Sequence, residues 1–424
     1  MAKIKSIKTR EILASGGSPT LEVEVMLESG AMGEASVSYG ASAGSHEATV
    51  LLDKDPKRFG GQGMLRAKSN IDTEITQLLV GMEASDQRNI DKLMIDLDGT
   101  EDKSRLGGNA ILGVSLAVAR AQANEQRLPL YEYLRKAYEI ETIKGDLPKP
   151  MVVMIEGGKH ADNTTDLQEY LVMPKGNKTK AEEVRQMEEI YLGLKSVLAE
   201  AGLSTNVGNE GAFAPDGIGS NEKPLGFLVE AAKRAGYEPG IDTVLGIDAA
   251  ASEFAEINHQ LSITNYELKI ENKRLTGNEL IEYYLRLIEK YPIVTVEDML
   301  AEDDWENWVK LTARLPEGVL NIADDLTVTN TIRWQKAVEM MAANAILIKL
   351  NQAGSLTETI DCCKLAQKYG LPTIPSHRGG GESNDTFMVD LAVAMNSAYI
   401  KCGPTRGERV AKYNRLMRIE EELR

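Results

Sequence analysis

Four stretches decide the fold: TVLGID (243–248), PIVTVED (292–298), VLNIADD (319–325) and AILIKL (345–350). Each is short and apolar, and each closes on an ionisable side chain: Asp248, Glu297 with Asp298, Asp324 with Asp325, and Lys349. Apolar runs of this length, separated by segments of helical spacing, predict buried parallel strands. Glu297 to Asp324 spans 27 residues and Asp324 to Lys349 spans 25, each one strand-plus-helix unit of a (β/α) barrel. The C-terminal strand ends of such a barrel converge on one mouth, where its chemistry is done. Three carboxylates and a lysine converging there predict a divalent-cation site beside a base.

The barrel pattern extends both ways from this stretch. Upstream, MVVMIEGGKHADN (151–163) and LQEYLVMP (167–174) read as two strands, a helix spans 181–201, and GNEGAFAP (208–215) is a glycine-bracketed loop centred on Glu210. A helix over 221–236 leads to the first of the four runs, and 251–275 reads as a polar surface excursion. Downstream, helices at 355–369, 384–396 and 407–423 alternate with LPTIPSHR (371–378) and SAYIKCG (397–403). The N-terminal third differs. After a first strand over 2–12, TLEVEVMLESG (20–30) alternates strictly, with Leu21, Val23, Val25 and Leu27 on one face and Glu22, Glu24 and Glu28 on the other. That is a half-buried antiparallel strand, turning at Ser29-Gly30 into AMGEASVSY (31–39). Helices follow at 63–80, 86–97, 108–125 and 128–134. YGASAGSHEA (39–48) is small and flexible enough for a lid, or for a plain connector. The expected division is an N-terminal α+β domain (1–137), a polar linker (138–149) and a barrel (150–424).

A formal charge of −16 over 424 residues argues against a polyanion such as nucleic acid as partner. The three cysteines, Cys362, Cys363 and Cys402, have neither disulfide-framework nor zinc-ligand spacing, which fits a reducing, cytoplasmic setting. The start MAKIKSIKTREI lacks an apolar signal region, and no run approaches the ~18 apolar residues of a membrane span.

Oxygen-only ligands on successive strand ends, Asp248, Glu297 and Asp324, suit Mg²⁺, although strand-end acids also cap the helices that follow them. Lys349 interrupts an apolar run; desolvation would lower its pKa and make it a base, unless an ion pair with the carboxylates holds it. Lys401, at another strand end, adds a second cation and implies an anionic substrate. His160 and His377 follow strands, Arg378 offers a planar fork for carboxylate or phosphate, and Glu169 and Glu210 are candidate general acids whose pKa neighbouring carboxylates would raise.

Taken together, IEGGKHADN, LQEYLVMP, GNEGAFAP, IDAAASEF, VEDMLAEDDW, ADDLTVTN, LIKLNQAGSLTET, SHR and ERVAKYNRLMRIEEEL resemble the enolase family, as do GASAGSHEA and NAILGVSLAVARA. The resemblance implies a modified (β/α)8 barrel of TIM type with its second strand antiparallel, an N-terminal domain of three-stranded meander plus helices, and reversible dehydration of 2-phospho-D-glycerate to phosphoenolpyruvate. It implies two Mg²⁺ ions per site, the first on Asp248, Glu297 and Asp324, the second near Ser42. Lys349 would remove the C2 proton, and Glu210 would protonate the departing hydroxyl with help from Glu169 and His377. Gln168, His160, Arg378 and Lys401 would hold the phosphorylated substrate, in a homodimer or an octamer of dimers. The chain departs from the family pattern at several places. Gly379 in SHRGGGES stands for the phosphate-binding serine, with one residue more in the loop. Asn209 replaces an aspartate beside Glu210, Ser38-Tyr39 a Pro-Ser before the lid, and ASGGSP (14–19) an arginine-bearing turn far along the chain from the substrate motifs. Glu156 stands for an asparagine and Lys159 for a small residue near His160, and Cys402 for a threonine. Two other readings stay open: a paralogue performing the same elimination on a carboxylated or phosphonate analogue, and a non-catalytic surface binding protein.

Overall fold

The computed structural model describes residues 2–40, 44, 46–142, 147–258 and 263–424. Strands β1 (Ile4–Leu13), β2 (Pro19–Leu27) and β3 (Met32–Ser36) form an antiparallel meander in that order. The alternation in β2 does what its pattern requires. Leu21, Val23, Val25 and Leu27 are wholly buried, packed with the helix Gly108–Glu125, while Glu22 and Glu24 face Arg10 of β1. A two-residue strand, β4 (Tyr39–Gly40), follows. The helix expected over 63–80 runs from Leu65 to Leu79, with a π-helical stretch at Ile71–Ile75.

Eight strands make the barrel. They are β5 (Lys149–Glu156), β6 (Glu169–Pro174), β7 (Thr243–Asp248), β11 (Ile293–Glu297), β12 (Leu320–Ala323), β13 (Ala345–Ile348), β14 (Thr373–Pro375) and β16 (Tyr399–Cys402). Between them lie β8 (Ala255–Asn258), β9 (Ile263–Leu268), β10 (Lys273–Thr276) and β15 (Gly380–Gly381). Around the ring the order is β14-β13-β12-β11-β7-β6-β5-β16. Only β6 is antiparallel to its neighbours. The ring shuts by a parallel bridge between Ser376 and Lys401, where His377 N donates to Lys401 O (3.1 Å). Inward side chains such as Met151, Val153, Leu171, Met173 and Leu347 fill the barrel, while alternate residues such as Val152, Val172 and Ile346 pack outward into the larger core. Among the described residues no helix is long and apolar enough to cross a membrane.

Two expectations need correction. Segment 251–275 is no loose excursion: β8, β9 and β10 form a small antiparallel sheet. Its Tyr266 is fully buried, donates to Asp304 Oδ2 (2.7 Å) and accepts from Ala301 N (3.1 Å). It thus braces the loop leaving β11. The ASGGSP turn, distant in sequence, is close in space: Ser15 Oγ donates to Gly380 O, Ser15 N donates to Glu382 O (2.8 Å), and Glu382 N donates back to Ser15 Oγ (3.1 Å).

Candidate active site

Asp248 is the last residue of β7 and Glu297 the last of β11; Asp324 and Lys349 follow β12 and β13 directly. Parallel strands deliver all four to the same end. Glu169 reaches that end from the opposite direction. Because β6 runs backwards, its first residue pairs in register with Asp248 on one side and Glu156 on the other. His377 and Arg378 follow β14, Lys401 lies in β16, and Glu210 hangs in a loop whose Phe213 bridges Ile155 of β5. A cavity at that end is lined by Glu47, His160, Gln168, Glu169, Glu210, Asp248, Asp324, Lys349, His377, Arg378, Gly379 and Lys401. Of the expected residues, Glu297 lies beneath it, fully buried, and Ser42 falls outside the described residues.

Charge is arranged in three groups. Lys401 Nζ sits 2.8 Å from Glu169 Oε2, 2.9 Å from Asp248 Oδ2 and 2.7 Å from Glu297 Oε1. One ammonium cannot neutralise three buried carboxylates. Burial and mutual repulsion accordingly push Glu297 well above the usual carboxylate range and raise Asp248, and Glu297 Oε2 has no hydrogen-bond partner. In the second group Lys349 pairs with Asp324 Oδ2, whose other oxygen accepts from Gln352 (2.9 Å). Asp298, at φ 43°, accepts from the amides of Asp324 (3.0 Å) and Asp325 (2.8 Å) and fixes that turn. Burial would lower Lys349, but the Asp324 charge outweighs it and raises the amine; desolvation does not win here, contrary to the expectation for an interrupted apolar run. This oxygen-rich, under-neutralised donor set suits a hard divalent cation, and Asp298, Asp324 and Asp325 each place a carboxylate oxygen within 4.8 Å of the others.

The third group is the acid side. His377 Nε2 is 3.2 Å from Glu210 Oε1, and His160 Nδ1 is 3.2 Å from Glu169 Oε1 and 3.5 Å from Glu210 Oε1. Arg409, fully buried, donates from Nε to His377 Nδ1 (3.2 Å), which leaves the imidazole proton on Nε2, facing Glu210. Burial would raise Glu210 and Glu169, in the same direction as the neighbouring carboxylates on which their reading as general acids rests. The imidazoles and Lys401 outweigh burial, hold Glu210 well below the usual range and lower Glu169. Both are ionised in this state. The raised carboxyl of this group is Glu156, pushed up to about 8 by burial and by Glu210.

Arg378 does not stand open to solvent: Glu47 lies 3.3 Å from its guanidinium. Gly379 leaves no slack, since a Cβ there would lie 2.7 Å from both Glu210 Oε1 and the His160 ring. Its neighbours Gly380 and Gly381 form β15, paired with Gly40 and Tyr39 of β4; a Cβ at Gly381 would overlap the Tyr39 ring. Three departures, in ASGGSP, at Ser38-Tyr39 and in the glycine loop, therefore form one assembly. Glu382 ends it, accepting from Ser38 Oγ (2.5 Å), Arg378 N (2.6 Å) and Lys412 Nζ (3.0 Å). Sequence reasoning missed Glu47, Arg409 and Lys412, which touch site residues only through the tertiary fold. Glu156 was legible: it ends an apolar strand run just as Asp248 does.

Fold and mouth define an α/β-barrel enzyme of acid–base chemistry, with cations and carboxylates lining one cavity. Residues 4–134 match the family model for the enolase N-terminal domain, and residues 144–424 that for the enolase C-terminal TIM barrel domain. The chain belongs to the enolase family, whose chemistry is dehydration by a carbon–oxygen lyase.

Proposed function

We propose that the protein catalyses the Mg²⁺-dependent, reversible dehydration of 2-phospho-D-glycerate to phosphoenolpyruvate, the glycolytic and gluconeogenic step, in the cytoplasm and as a homo-oligomer. The observation that carries this reading is one cavity with Lys349 just after β13 and, across the mouth, the Glu210–His377–His160 group beside Glu169 on β6, four places round the ring. In this reading Lys349 takes the C2 proton and Glu210 serves the departing hydroxyl. His377, oriented by Arg409, and Glu169 hold Glu210 in place, while His160, Gln168, Arg378 and Lys401 bind the anionic ends of the substrate. Bound at Asp248, Glu297 and Asp324, with a second ion near Ser42, Mg²⁺ would absorb the charge that develops on the substrate carboxylate and relieve the hold of Asp324 on the Lys349 proton.

A second reading has its own observation. Gly379 withholds the hydroxyl that binds phosphate, and the loop around it has no room for a side chain. This favours the same elimination on a carboxylated or phosphonate relative of phosphoglycerate. Absorbance of phosphoenolpyruvate formed from 2-phosphoglycerate with Mg²⁺ separates the two. No turnover by folded, metal-loaded protein sinks the first reading and leaves the second.

A further inference from the structure

Glu156 ends β5 with no exposure to solvent. Its Oε1 accepts from the amides of Glu210 (3.0 Å) and Ala212 (2.9 Å), and so clamps the loop that carries Glu210. Its Oε2 has no hydrogen-bond partner and stands where Gly208 leaves room: a Cβ there would come within 2.5 Å. Glu156, His160 and Glu210 each place one polar atom within 4.8 Å of the others. The titratable groups around Glu156 are Glu210 on the loop, His160 on the turn after β5, Glu169 across on β6, and Tyr191 on the helix Lys180–Glu200; Glu188 lies near Tyr191, and Arg406 caps Gly208 O (2.8 Å). Glu210 itself faces His377 and Arg409. Two carboxyls this close, both out of water, do not ionise together. The imidazoles claim the charge for Glu210, so the proton stays with Glu156.

We propose that Glu156 and Glu210 are a carboxyl pair holding one proton, which Glu156 stores until Glu210 delivers it to the departing hydroxyl. The proposal rests on the dehydration reading for its last step. The O–H bond of Glu156 breaks as the proton passes to the ionised Glu210 carboxylate, which has an oxygen within 4.8 Å of it. The Glu210 O–H bond then breaks as the substrate C–O bond does, and water leaves. Glu156 regains a proton from solvent while Lys349 releases the one taken from C2, so each turnover balances. Glu156 acts through Glu210 and touches no substrate.

Carboxyl-labelled glutamate NMR tests the store without any substrate. Wild-type protein should show one glutamate titrating close to pH 8. Glu156→Gln should delete that signal, and Glu210→Gln should move it acidward while burial keeps it above the ordinary carboxylate range. A wild-type spectrum with no such signal overturns the proposal. With 2-phosphoglycerate, Glu156→Gln keeps the amide clamp but has no proton to lend. Exchange of the C2 proton should stay within about twofold, elimination near neutral pH should fall at least about tenfold, and the alkaline limb of its pH profile should move acidward. Equal loss of exchange and elimination means a structural defect and refutes the store. If Glu156→Gln does not fold, the wild-type and Glu210→Gln spectra decide alone. Should wild-type protein leave 2-phosphoglycerate untouched, the substrate reading fails by itself and the NMR titration still decides the proposal.

Discussion

Lys349 and Glu210 present mirrored electrostatic problems. Asp324 holds a proton on the would-be base, and two imidazoles keep one off the would-be acid. Replacing Lys349 with alanine should therefore leave the fold intact, with Asp324 still bonded to Gln352. Exchange of the substrate C2 proton, followed by NMR in deuterated water, should fall at least about a hundredfold; persistent exchange rules Lys349 out as the base. At Gly379 the expected result runs against family pattern-matching. Serine there would force Glu210 and the His160 ring apart, so Gly379→Ser should lower kcat about tenfold even if KM for phosphoglycerate improves. An unchanged kcat would mean the pocket relaxes freely. The strand-end acids and lysines were legible as single residues because each interrupts an apolar run. Their charge states were not. Whether Glu210 is pushed up by carboxylates or pulled down by imidazoles depends on which side chains the barrel turns toward it, and neither His377 nor Arg409 is near it in sequence.

At the scale of elements, the ribbon of β4 and β15 joins two places where the sequence departs from the family pattern, Ser38-Tyr39 and the glycine loop. Its tightness rests on Tyr39 lying against a glycine that has no side chain. Gly381→Ala should destabilise the protein by about 1–3 kcal/mol, read as a lower midpoint in urea, and shortening the ring with Tyr39→Ala should recover part of it. Additive losses in the double variant would show that the two residues do not compete for one space. Helices were placed within a few residues from their apolar spacing, Gly108–Glu125 among them. The small sheet of β8–β10 was not, because its strands are short, polar outward and anchored by one buried tyrosine. The ribbon escaped notice for a simpler reason: glycine pairs carry no pattern, and only the pairing partner gives them a conformation.

Across the whole molecule, the two halves are joined by charged contacts. Arg120 of the N-terminal half grips Asp385 with two bonds of 2.6 Å, and Ser36 N donates to the same carboxylate (2.9 Å). Burial would raise Asp385; Arg120 outweighs it and holds the carboxyl below its ordinary value. A carboxylate depressed by folding contributes stability that is complete above its unfolded pKa, near 4, and is lost as pH falls through the folded value. Wild type should therefore exceed Asp385→Asn by about 3 kcal/mol at pH 6–7 in thermal unfolding, with the gap closing below about pH 4. A gap that does not narrow at all as pH falls below 4 would deny the ion pair its role. The raised carboxyl of Glu156 has the opposite sign, so stability drains away as pH climbs toward 8.

The seam of the barrel has a consequence for how the protein comes into being. Ser376 and Lys401 close the ring, and the same few residues bring His377 and Lys401 to the mouth. Arg409 and Lys412, which hold the loop after β14, arrive later still in the chain. A chain emerging from the ribosome has its metal-type carboxylates by residue 324, yet stays chemically silent until about residue 412 has cleared the tunnel and the ring has shut. During refolding, recovery of turnover would then be a clock for ring closure, lagging behind helix formation.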